Sequence, residues 1–171
     1  MPIFHSRARN GIIKFKINGA VFAVRIEKRF MEEALREART AFSEGETPVG
    51  AVVVRGDGIV SRAHNEVMKY GDASRHAELT ALRLAAEKLG TRYLDDCVLY
   101  VTMEPCPMCA GACLNFRLGA AAFGAYDETC GAFGTKADIG SGAFGAEIPV
   151  FGGIMEEECA KLLGEFFESK R

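Results

Sequence analysis

Long apolar runs are missing from this 171-residue sequence. No stretch approaches the roughly 18 consecutive apolar residues that a membrane-spanning helix needs. The apolar segment 12–26 is interrupted by four polar residues, Lys14, Lys16, Asn18 and Arg25. No small-residue cleavage site follows it, so the pattern of an export signal is also missing. We therefore expect a soluble, cytoplasmic protein with no membrane partner.

Cysteine is sparse as well, with six residues in the chain. That number is too small for a disulfide scaffold in a chain of this length. Without an export signal, free thiols or metal ligands are the better interpretations. Cys97 lies in an apolar strand-like run and Cys159 on the apolar face of a C-terminal helix, so we expect both in the core.

A net positive charge is missing outside the N-terminal region. The formal net charge is −2, and residues 1–30 hold seven Lys and Arg against one Glu, which leaves the rest of the chain at −8. Binding to nucleic-acid phosphates needs Lys and Arg, so this acidic body is poorly suited to general nucleic-acid binding. Any contact with a nucleic acid must therefore be local.

Internal repeats and linkers are missing between residues 30 and 171, and the chain length suits one domain. We predict a single domain at 29–171, preceded by a basic appendage at 1–28. The appendage alternates apolar and polar residues around Asn18-Gly19, which is typical of a tight hairpin turn. A lone two-stranded hairpin is marginally stable, so the alternative is a disordered appendage.

Helical and strand periodicities alternate along the domain, which predicts an α/β protein with three α/β/α layers. Helices are predicted at residues 30–44, 74–89, 107–116 and 156–167. Strands are predicted at residues 49–55, 59–65, 97–103 and 120–126. Asp72 or Ser74 is the expected N-cap of the second helix. The segment 128–147 is rich in glycine and is predicted to be a loop.

Three cysteines stand close together in TMEPCPMCAGAC, residues 102–113. The spacing of Cys106 and Cys109 places two sulfurs within the first turn of a helix, where both can bind one metal ion. His76, in the segment RHAEL, begins the preceding helix and offers a third ligand. One His and two Cys leave a fourth tetrahedral position for water, which is the arrangement of a catalytic zinc site. Glu78 is then the proton carrier between that water and a substrate.

Two other interpretations of these cysteines stay open. A C-x-x-C pair is also typical of thioredoxin-like redox centres, which need no third ligand. Cys113 lies one helical turn beyond Cys109 and offers a fourth ligand, which would close the site and make the metal structural. That arrangement leaves Glu78 without a purpose, so we favour the catalytic site.

The combination of H-A-E with P-C-P-M-C resembles the zinc-dependent nucleoside and base deaminases, whose signature is H-x-E with P-C-x-x-C. Among these enzymes, residues 29–171 look most like the bacterial TadA family of tRNA-specific adenosine deaminases. The segments FGAYDETCGAFGT and GGIMEEECAKLLGEFF carry the closer resemblance. The resemblance implies a cytidine-deaminase-like fold with a central mixed five-stranded sheet, one zinc ion per subunit and a homodimer. It also implies hydrolysis of adenosine to inosine at the wobble position, with a tRNA anticodon stem-loop as the partner.

Matched position by position, the resemblance assigns roles to residues of this chain. It assigns zinc binding to His76, Cys106 and Cys109, and proton transfer to Glu78. It assigns substrate contacts to five residues: Asn65 and Ala77 at the flipped base, Asp127 near the anticodon loop, and Phe166 and Phe167 beside the RNA groove. Simpler roles are also open, namely a strand-end cap for Asn65, an ordinary turn for Asp127 and core packing for at least one Phe.

The sequence departs from the family pattern at two places. A family segment that ends near Asn-His-Arg is replaced by KADIGSGAFGAEIPVF, and the last helix ends at ESKR without a longer basic tail. Both changes remove positive charge. The alternative function is therefore a free nucleobase or nucleoside deaminase of the guanine or cytosine type. A noncatalytic zinc-binding subunit is a further alternative, against which the presence of Glu78 argues.

Overall fold

The structure is a computed structural model that describes residues 12–17 and 20–170, with side chains from Arg25 onward. The described residues form the strands β1 (Ile12–Ile17), β2 (Ala20–Arg25), β3 (Gly50–Arg55), β4 (Gly58–His64), β5 (Cys97–Met103), β6 (Ala120–Ala125) and β7 (Val150–Phe151). They form the helices α1 (Lys28–Ser43), α2 (Val67–Tyr70), α3 (Ala77–Leu89), α4 (Pro107–Asn115) and α5 (Glu156–Ser169). Every predicted helix and strand of the domain is present, and β7 and the short α2 are additional.

Five strands form one mixed sheet in the order β4-β3-β5-β6-β7. β3 pairs antiparallel with β4 and with β5, where Ala51 lies opposite Val101. β6 pairs parallel with β5, where Val101 lies opposite Phe123, and also parallel with β7. The central mixed five-stranded sheet is therefore confirmed.

Helices cover both faces of this sheet. α1 and α5 contact each other and pack on one face, and α3 packs on the other face with α4 beside it. The inner strands β3 and β5 have apolar side chains that are completely buried between these layers, including Val52, Val53, Leu99 and Val101. Such double burial explains their almost continuous apolar sequences. In the part of the chain that the structure describes, the helices are too short or too polar to cross a membrane.

β1 and β2 form a separate two-stranded antiparallel sheet. The predicted turn at Asn18-Gly19 and residues 1–11 lie outside the described residues. Directly after β2, the backbone N–H of Glu27 donates a hydrogen bond to the Tyr100 hydroxyl at 3.1 Å. This bond ties the start of α1 to the central sheet. The boundary between appendage and domain stays a prediction.

The second predicted helix begins later than expected. α3 starts at Ala77 with His76 as its N-cap residue, so the predicted start at Ser74 and the predicted caps are wrong. The Asp72 carboxylate instead accepts hydrogen bonds from the backbone N–H and the hydroxyl of Ser74, at 2.9 and 2.7 Å. An Asp side chain that bonds to the backbone two residues on stabilises a turn, which competes with helix formation. The later start leaves His76 at the helix terminus.

Candidate metal centre and active site

The candidate site lies at the edge of the sheet where β5 and β6 end and β3 begins. In open α/β sheets, ligands bind outside the carboxyl ends of the strands. A cavity of about 280 Å³ opens at this edge. Five residues predicted from the sequence line it: Asn65, His76, Glu78, Cys106 and Asp127.

His76, Cys106 and Cys109 converge beside this cavity. The Nδ1 atom of His76 lies 3.7 Å from the Cys106 Sγ and 3.6 Å from the Cys109 Sγ. All three ligand atoms lie within 4.8 Å of one another. Tetrahedral zinc, at about 2.0 Å from nitrogen and about 2.3 Å from sulfur, holds its N and S ligands about 3.5 Å apart. The donor set and its spacing therefore fit zinc.

Two helix starts place these ligands. His76 is the N-cap residue of α3, and Cys106 is the N-cap residue of α4. Pro107 follows at the first helical position, where its fixed φ favours helix initiation. Cys109 lies in the first turn of α4 and is completely buried. Helix N-termini carry partial positive charge, which favours the thiolate form of a cysteine placed there.

The two thiols of the site differ in their readiness to lose a proton. A hydrogen bond from Cys109 lowers the pKa of the Cys106 thiol to about 4, and the His76 ring acts in the same direction. The same hydrogen bond, together with burial, raises the pKa of Cys109. Zinc binds thiolates, so Cys106 is prepared as a ligand and metal binding must displace the Cys109 proton.

The remaining buried cysteines do not belong to this cluster. Cys113, considered above as a fourth ligand, is completely buried, and burial raises the pKa of its thiol. It is not a member of the metal-ligand group found among the described residues. Cys97 and Cys159 lie in the core, which confirms their predicted positions. The arrangement favours an open three-ligand site, because no fourth protein ligand closes it in the described part of the chain.

Glu78 lies in the first turn of α3 and is 4% exposed. Burial raises the pKa of its carboxyl group to about 7. A carboxyl group with such a pKa gains and loses protons readily near neutral pH, as a general acid and base must. Because Glu78 lines the same cavity as His76 and Cys106, it is placed to exchange protons with a substrate bound there.

Asn65 follows the edge strand β4 directly and lines the same cavity as His76 and Cys106. Its backbone N–H donates to the Val49 carbonyl at 3.0 Å. Its side-chain amide donates to the Glu46 carboxylate at 3.2 Å. The backbone bond closes the strand end, so the side chain is not needed as a cap there. Its contact with a base stays a prediction.

Asp127 also lines the cavity, but its own loop engages its carboxylate. Oδ1 accepts hydrogen bonds from the backbone N–H groups of Thr129 and Cys130 at 2.8 and 3.2 Å. Oδ2 accepts one from the Cys130 thiol at 3.0 Å. Burial acts to raise the pKa of Asp127, but these bonds outweigh it and hold the pKa below its usual value. The residue thus stabilises a turn, and its contact with an anticodon loop stays a prediction.

Glu104 is a buried residue that the sequence analysis missed. Its carboxylate accepts hydrogen bonds from the backbone N–H groups of Asp127, Phe133 and Thr135 at 3.1, 3.0 and 3.1 Å. It thereby fixes the glycine-rich loop after β6. Gly131 packs so closely that a Cβ atom there would lie 2.4 Å from the Glu104 carboxylate. The available signal was an acidic residue between an apolar strand and the P-C-P-M-C segment.

The other predicted substrate contacts do not line the cavity. Phe166 is 7% exposed and packs edge-on against Phe42, with ring centroids 5.6 Å apart. Phe167 is 53% exposed, so one member of the pair packs in the core and the other faces outward. Ala77 is buried at the start of α3, next to His76. The RNA or base contacts of these residues stay predictions.

Comparison with known proteins identifies the class to which this fold and site belong. Residues 24–125 match the cytidine and deoxycytidylate deaminase zinc-binding region. The chain is therefore a member of the zinc-dependent deaminases, and the cytidine-deaminase-like fold is confirmed.

Relatives of similar length narrow this class. A tRNA-specific adenosine deaminase from Bacillus subtilis is 40% identical over 146 residues, which cover 85% of this chain and 91% of that protein. A solved structure from a study of A-to-I editing by tRNA:A34 deaminases matches with a TM-score of 0.76 and 37% identity. That match covers 80% of this chain and 99% of the other. This chain belongs to the family of tRNA-specific adenosine deaminases.

A longer relative contains a similar segment. A tRNA(Ile)-lysidine synthase from Deinococcus radiodurans is 48% identical over 142 residues. The aligned part covers 82% of this chain but 24% of that protein. The name describes the whole relative, so it assigns no activity to this chain.

Proposed function

We propose that this protein hydrolyses adenosine to inosine at the wobble position of a tRNA anticodon. The observation that carries the proposal is one shared cavity, at which the His and Cys cluster, the Glu78 carboxyl and the Asn65 side chain meet. Membership of the tRNA-specific adenosine deaminase family supports the choice of substrate. The cluster accounts for one zinc ion per subunit.

The reaction adds water to C6 of adenine and releases ammonia. His76, Cys106 and Cys109 would hold a zinc ion, which when bound would supply a nucleophilic water at neutral pH. Glu78 takes a proton from the attacking water and delivers it to a ring nitrogen, which makes C6 more electrophilic. Glu78 then passes the second proton, from the added hydroxyl, to the departing amine. Its place in the first turn of α3, two residues from His76, serves both transfers.

The substrate base must leave the anticodon loop to enter this cavity. Loop bases are already free of pairing, so unstacking them costs less than flipping a base from a duplex. Sites for drug-sized ligands have volumes of about 300–1,000 Å³. The cavity here, at about 280 Å³, lies just below that range, so its size suits a single base. Asn65 binds the flipped base and the Ala77 backbone contacts it. Of the C-terminal pair, the exposed Phe167 meets the RNA.

The proposal includes a homodimer and a cytoplasmic location, where the tRNA is found. Asp127 borders the anticodon loop through the turn that its carboxylate stabilises. Phe166 supports Phe167 from the core, with ring centroids 5.5 Å apart. The seven basic residues within 1–30, against one Glu, give that segment a net charge of +6, whereas the rest of the chain carries −8.

A deaminase of free bases or nucleosides, of the guanine or cytosine type, is the second candidate, and one observation favours it. Among the described residues, the cavity lining contains no Lys or Arg but four acidic side chains, Glu46, Glu78, Glu104 and Asp127. Phosphates bind poorly beside such a lining, whereas a free base carries none. Three of these carboxylates, however, accept hydrogen bonds from N–H groups, which reduce their effect on the cavity.

The deciding experiment offers the zinc-loaded protein an arginine-tRNA anticodon stem-loop with adenosine at the wobble position. Free adenosine, adenine, guanine and cytosine are offered in parallel. Inosine in the stem-loop alone supports the proposal, whereas deamination of a free base with none in the stem-loop overturns it in favour of the second candidate. Glu78→Ala is the matched control, because it should lose turnover while keeping zinc; a noncatalytic subunit would have no turnover to lose.

A further inference from the structure

Glu46 is a buried acidic residue that the mechanism above does not use. It lies in the turn between α1 and β3, is 1% exposed and lines the cavity. A buried carboxylate is energetically unfavourable unless hydrogen bonds replace its hydration. The hydrogen-bond partners of Glu46 therefore indicate which groups this residue positions.

Each carboxylate oxygen of Glu46 accepts a hydrogen bond from a different N–H group. Oε2 accepts from the side-chain amide Nδ2 of Asn65 at 3.2 Å. Oε1 accepts from the backbone N–H of Lys69 at 2.7 Å. Lys69 belongs to α2, whose first two residues also line the cavity. One carboxylate thus joins Asn65 to the neighbouring cavity wall.

The bond from Asn65 fixes the orientation of its carboxamide. A carboxylate only accepts hydrogen bonds, so the NH₂ end of the amide must face Glu46. The Asn65 carbonyl Oδ1 then takes the other direction, and in the described part of the chain it accepts no hydrogen bond and is not a buried unpaired atom. Because Asn65 lines the cavity, this oxygen is the acceptor offered to a base.

We propose that Glu46 is a positioning residue that fixes the Asn65 amide and so makes the cavity present a hydrogen-bond acceptor to a donor group of the base. A reversed amide would present NH₂ instead and would disfavour the same base edge. This inference rests on the proposed function, in which Asn65 binds the base. Glu46 itself touches no reacting atom and acts through Asn65.

The structure suggests a reciprocal exchange as the test. Glu46→Gln keeps the shape of the side chain, and its carbonyl can still accept from the Lys69 N–H. Its NH₂ then faces Asn65, which must turn its own amide over. Asn65→Asp in the native background sets two carboxylates against each other. In the Glu46→Gln background, the same Asp accepts from the new NH₂ and again offers an oxygen to the cavity.

Steady-state kinetics with the anticodon stem-loop should show this pattern. Glu46→Gln should raise KM roughly tenfold to hundredfold, the range for a buried hydrogen bond that is opposed by a second donor. Because the only hydrogen-bond donor of adenine is its 6-amino group, which departs in the reaction, kcat should fall as well. The fold-decrease in kcat/KM of the double variant should be smaller than the product of the fold-decreases of the two single variants. A loss equal to that product overturns the proposal.

Nuclear magnetic resonance gives a readout that does not depend on activity. The side-chain ¹⁵N–¹H signals of Asn65 are identified by their loss in Asn65→Asp, and they should shift in Glu46→Gln. They should stay in place in Glu44→Gln, a nearby acidic residue that does not contact Asn65. Unchanged signals in Glu46→Gln overturn the proposal. If the native protein leaves the stem-loop unmodified, the proposed function fails, and these signals still decide whether Glu46 orients Asn65.

Discussion

Two groups of potential metal ligands lie within the described residues, and they differ in what balances their charge. The thiol cluster consists of His76, Cys106 and Cys109, and the glutamate cluster consists of Glu44, His64 and Glu66. In the glutamate cluster, the Lys69 Nζ lies 3.5 Å from Glu44 and 2.9 Å from Glu66. Glu37 also contacts the His64 Nδ1, at 3.2 Å. Both carboxylates of this cluster therefore already pair with Lys69, whereas the His64 Nε2 atom lies 3.5 Å from Glu44 and is buried without a hydrogen-bond partner among the described residues.

The thiol cluster differs because its environment stabilises the Cys106 thiolate without supplying a Lys or Arg partner. Two helix N-termini supply partial positive charge, and a hydrogen bond from Cys109 lowers the pKa of Cys106. Sulfur and imidazole nitrogen are also the ligands that zinc favours over carboxylate oxygen. Close ligand atoms alone therefore do not define a zinc site; the balance of charge and the ligand type decide it.

The largest expected effect comes from breaking the thiol cluster. Cys106→Ser should reduce bound zinc far below one equivalent and reduce inosine formation to background, because two ligands and a weak hydroxyl hold the metal poorly. Glu66→Gln removes a ligand of the glutamate cluster and should leave the zinc content unchanged. Metal analysis of both purified variants measures the difference. Equal zinc loss in the two variants would show that the clusters do not differ as argued.

The next effect separates metal binding from proton transfer within one site. Glu78→Gln keeps the side-chain volume but cannot carry a proton, so kcat should fall about 10²–10⁴-fold while zinc stays bound. Single-turnover kinetics together with metal analysis check both parts. Glu44→Gln, a matched change in the glutamate cluster, should retain native kcat. Loss of zinc from Glu78→Gln would mean that Glu78 acts as a ligand.

Burial of Glu78 also predicts a pH effect on the zinc-free protein. The folded-state pKa of about 7 lies above the ordinary pKa of 4.5 for a glutamic acid side chain, so the folded state binds the proton more tightly than the unfolded state. The stability that this residue contributes is therefore present below pH 4.5 and is lost as the pH rises through 7. The loss amounts to about 3 kcal/mol.

Urea unfolding after zinc removal by a chelator measures this effect. The free energy of unfolding of the native sequence should fall relative to that of Glu78→Gln as the pH rises from 4.5 to 7. The glutamine side chain does not titrate in this range. The variant therefore lacks the part of the pH dependence of the free energy of unfolding that comes from Glu78, while the other titrating groups stay the same. Parallel curves for the two proteins would contradict the assignment of a raised pKa.

The thiol cluster could be predicted from the sequence because its ligands lie in short segments with fixed spacing. Cys106 and Cys109 share one helical turn, and His76 stands two residues before Glu78. The sheet was also predictable, since β5 is an apolar run of the kind that is buried on both faces. The sequence pattern was sufficient for the ligand cluster and for β5, because the spacing of residues within one helix or strand fixes their relative positions.

Glu46 and Glu104 could not be placed in the same way. Their partners are backbone and amide N–H groups that are distant in sequence, such as Asn65 and Phe133. No local spacing records such bonds, because folding brings the partners together. The start of α3 was mispredicted for a related reason: the Asp72 side chain satisfies a turn or a helix start equally well, and the sequence contains nothing that separates the two.

The smallest expected effect tests whether the Lys69 ammonium is what keeps zinc out of the glutamate cluster. Lys69→Met removes the positive charge but keeps the backbone N–H that donates to Glu46. Glu44, His64 and Glu66 then lie within 4.8 Å of one another without that cation, so a second zinc ion should bind, weakly enough for a mild chelator to remove. Lys69→Arg keeps the charge and should retain the native zinc content. Because the cluster does not include the catalytic residues, inosine formation should change little in either variant. A Lys69→Met protein that takes up no second zinc would show that ligand type, and not the internal cation, accounts for the difference between the clusters.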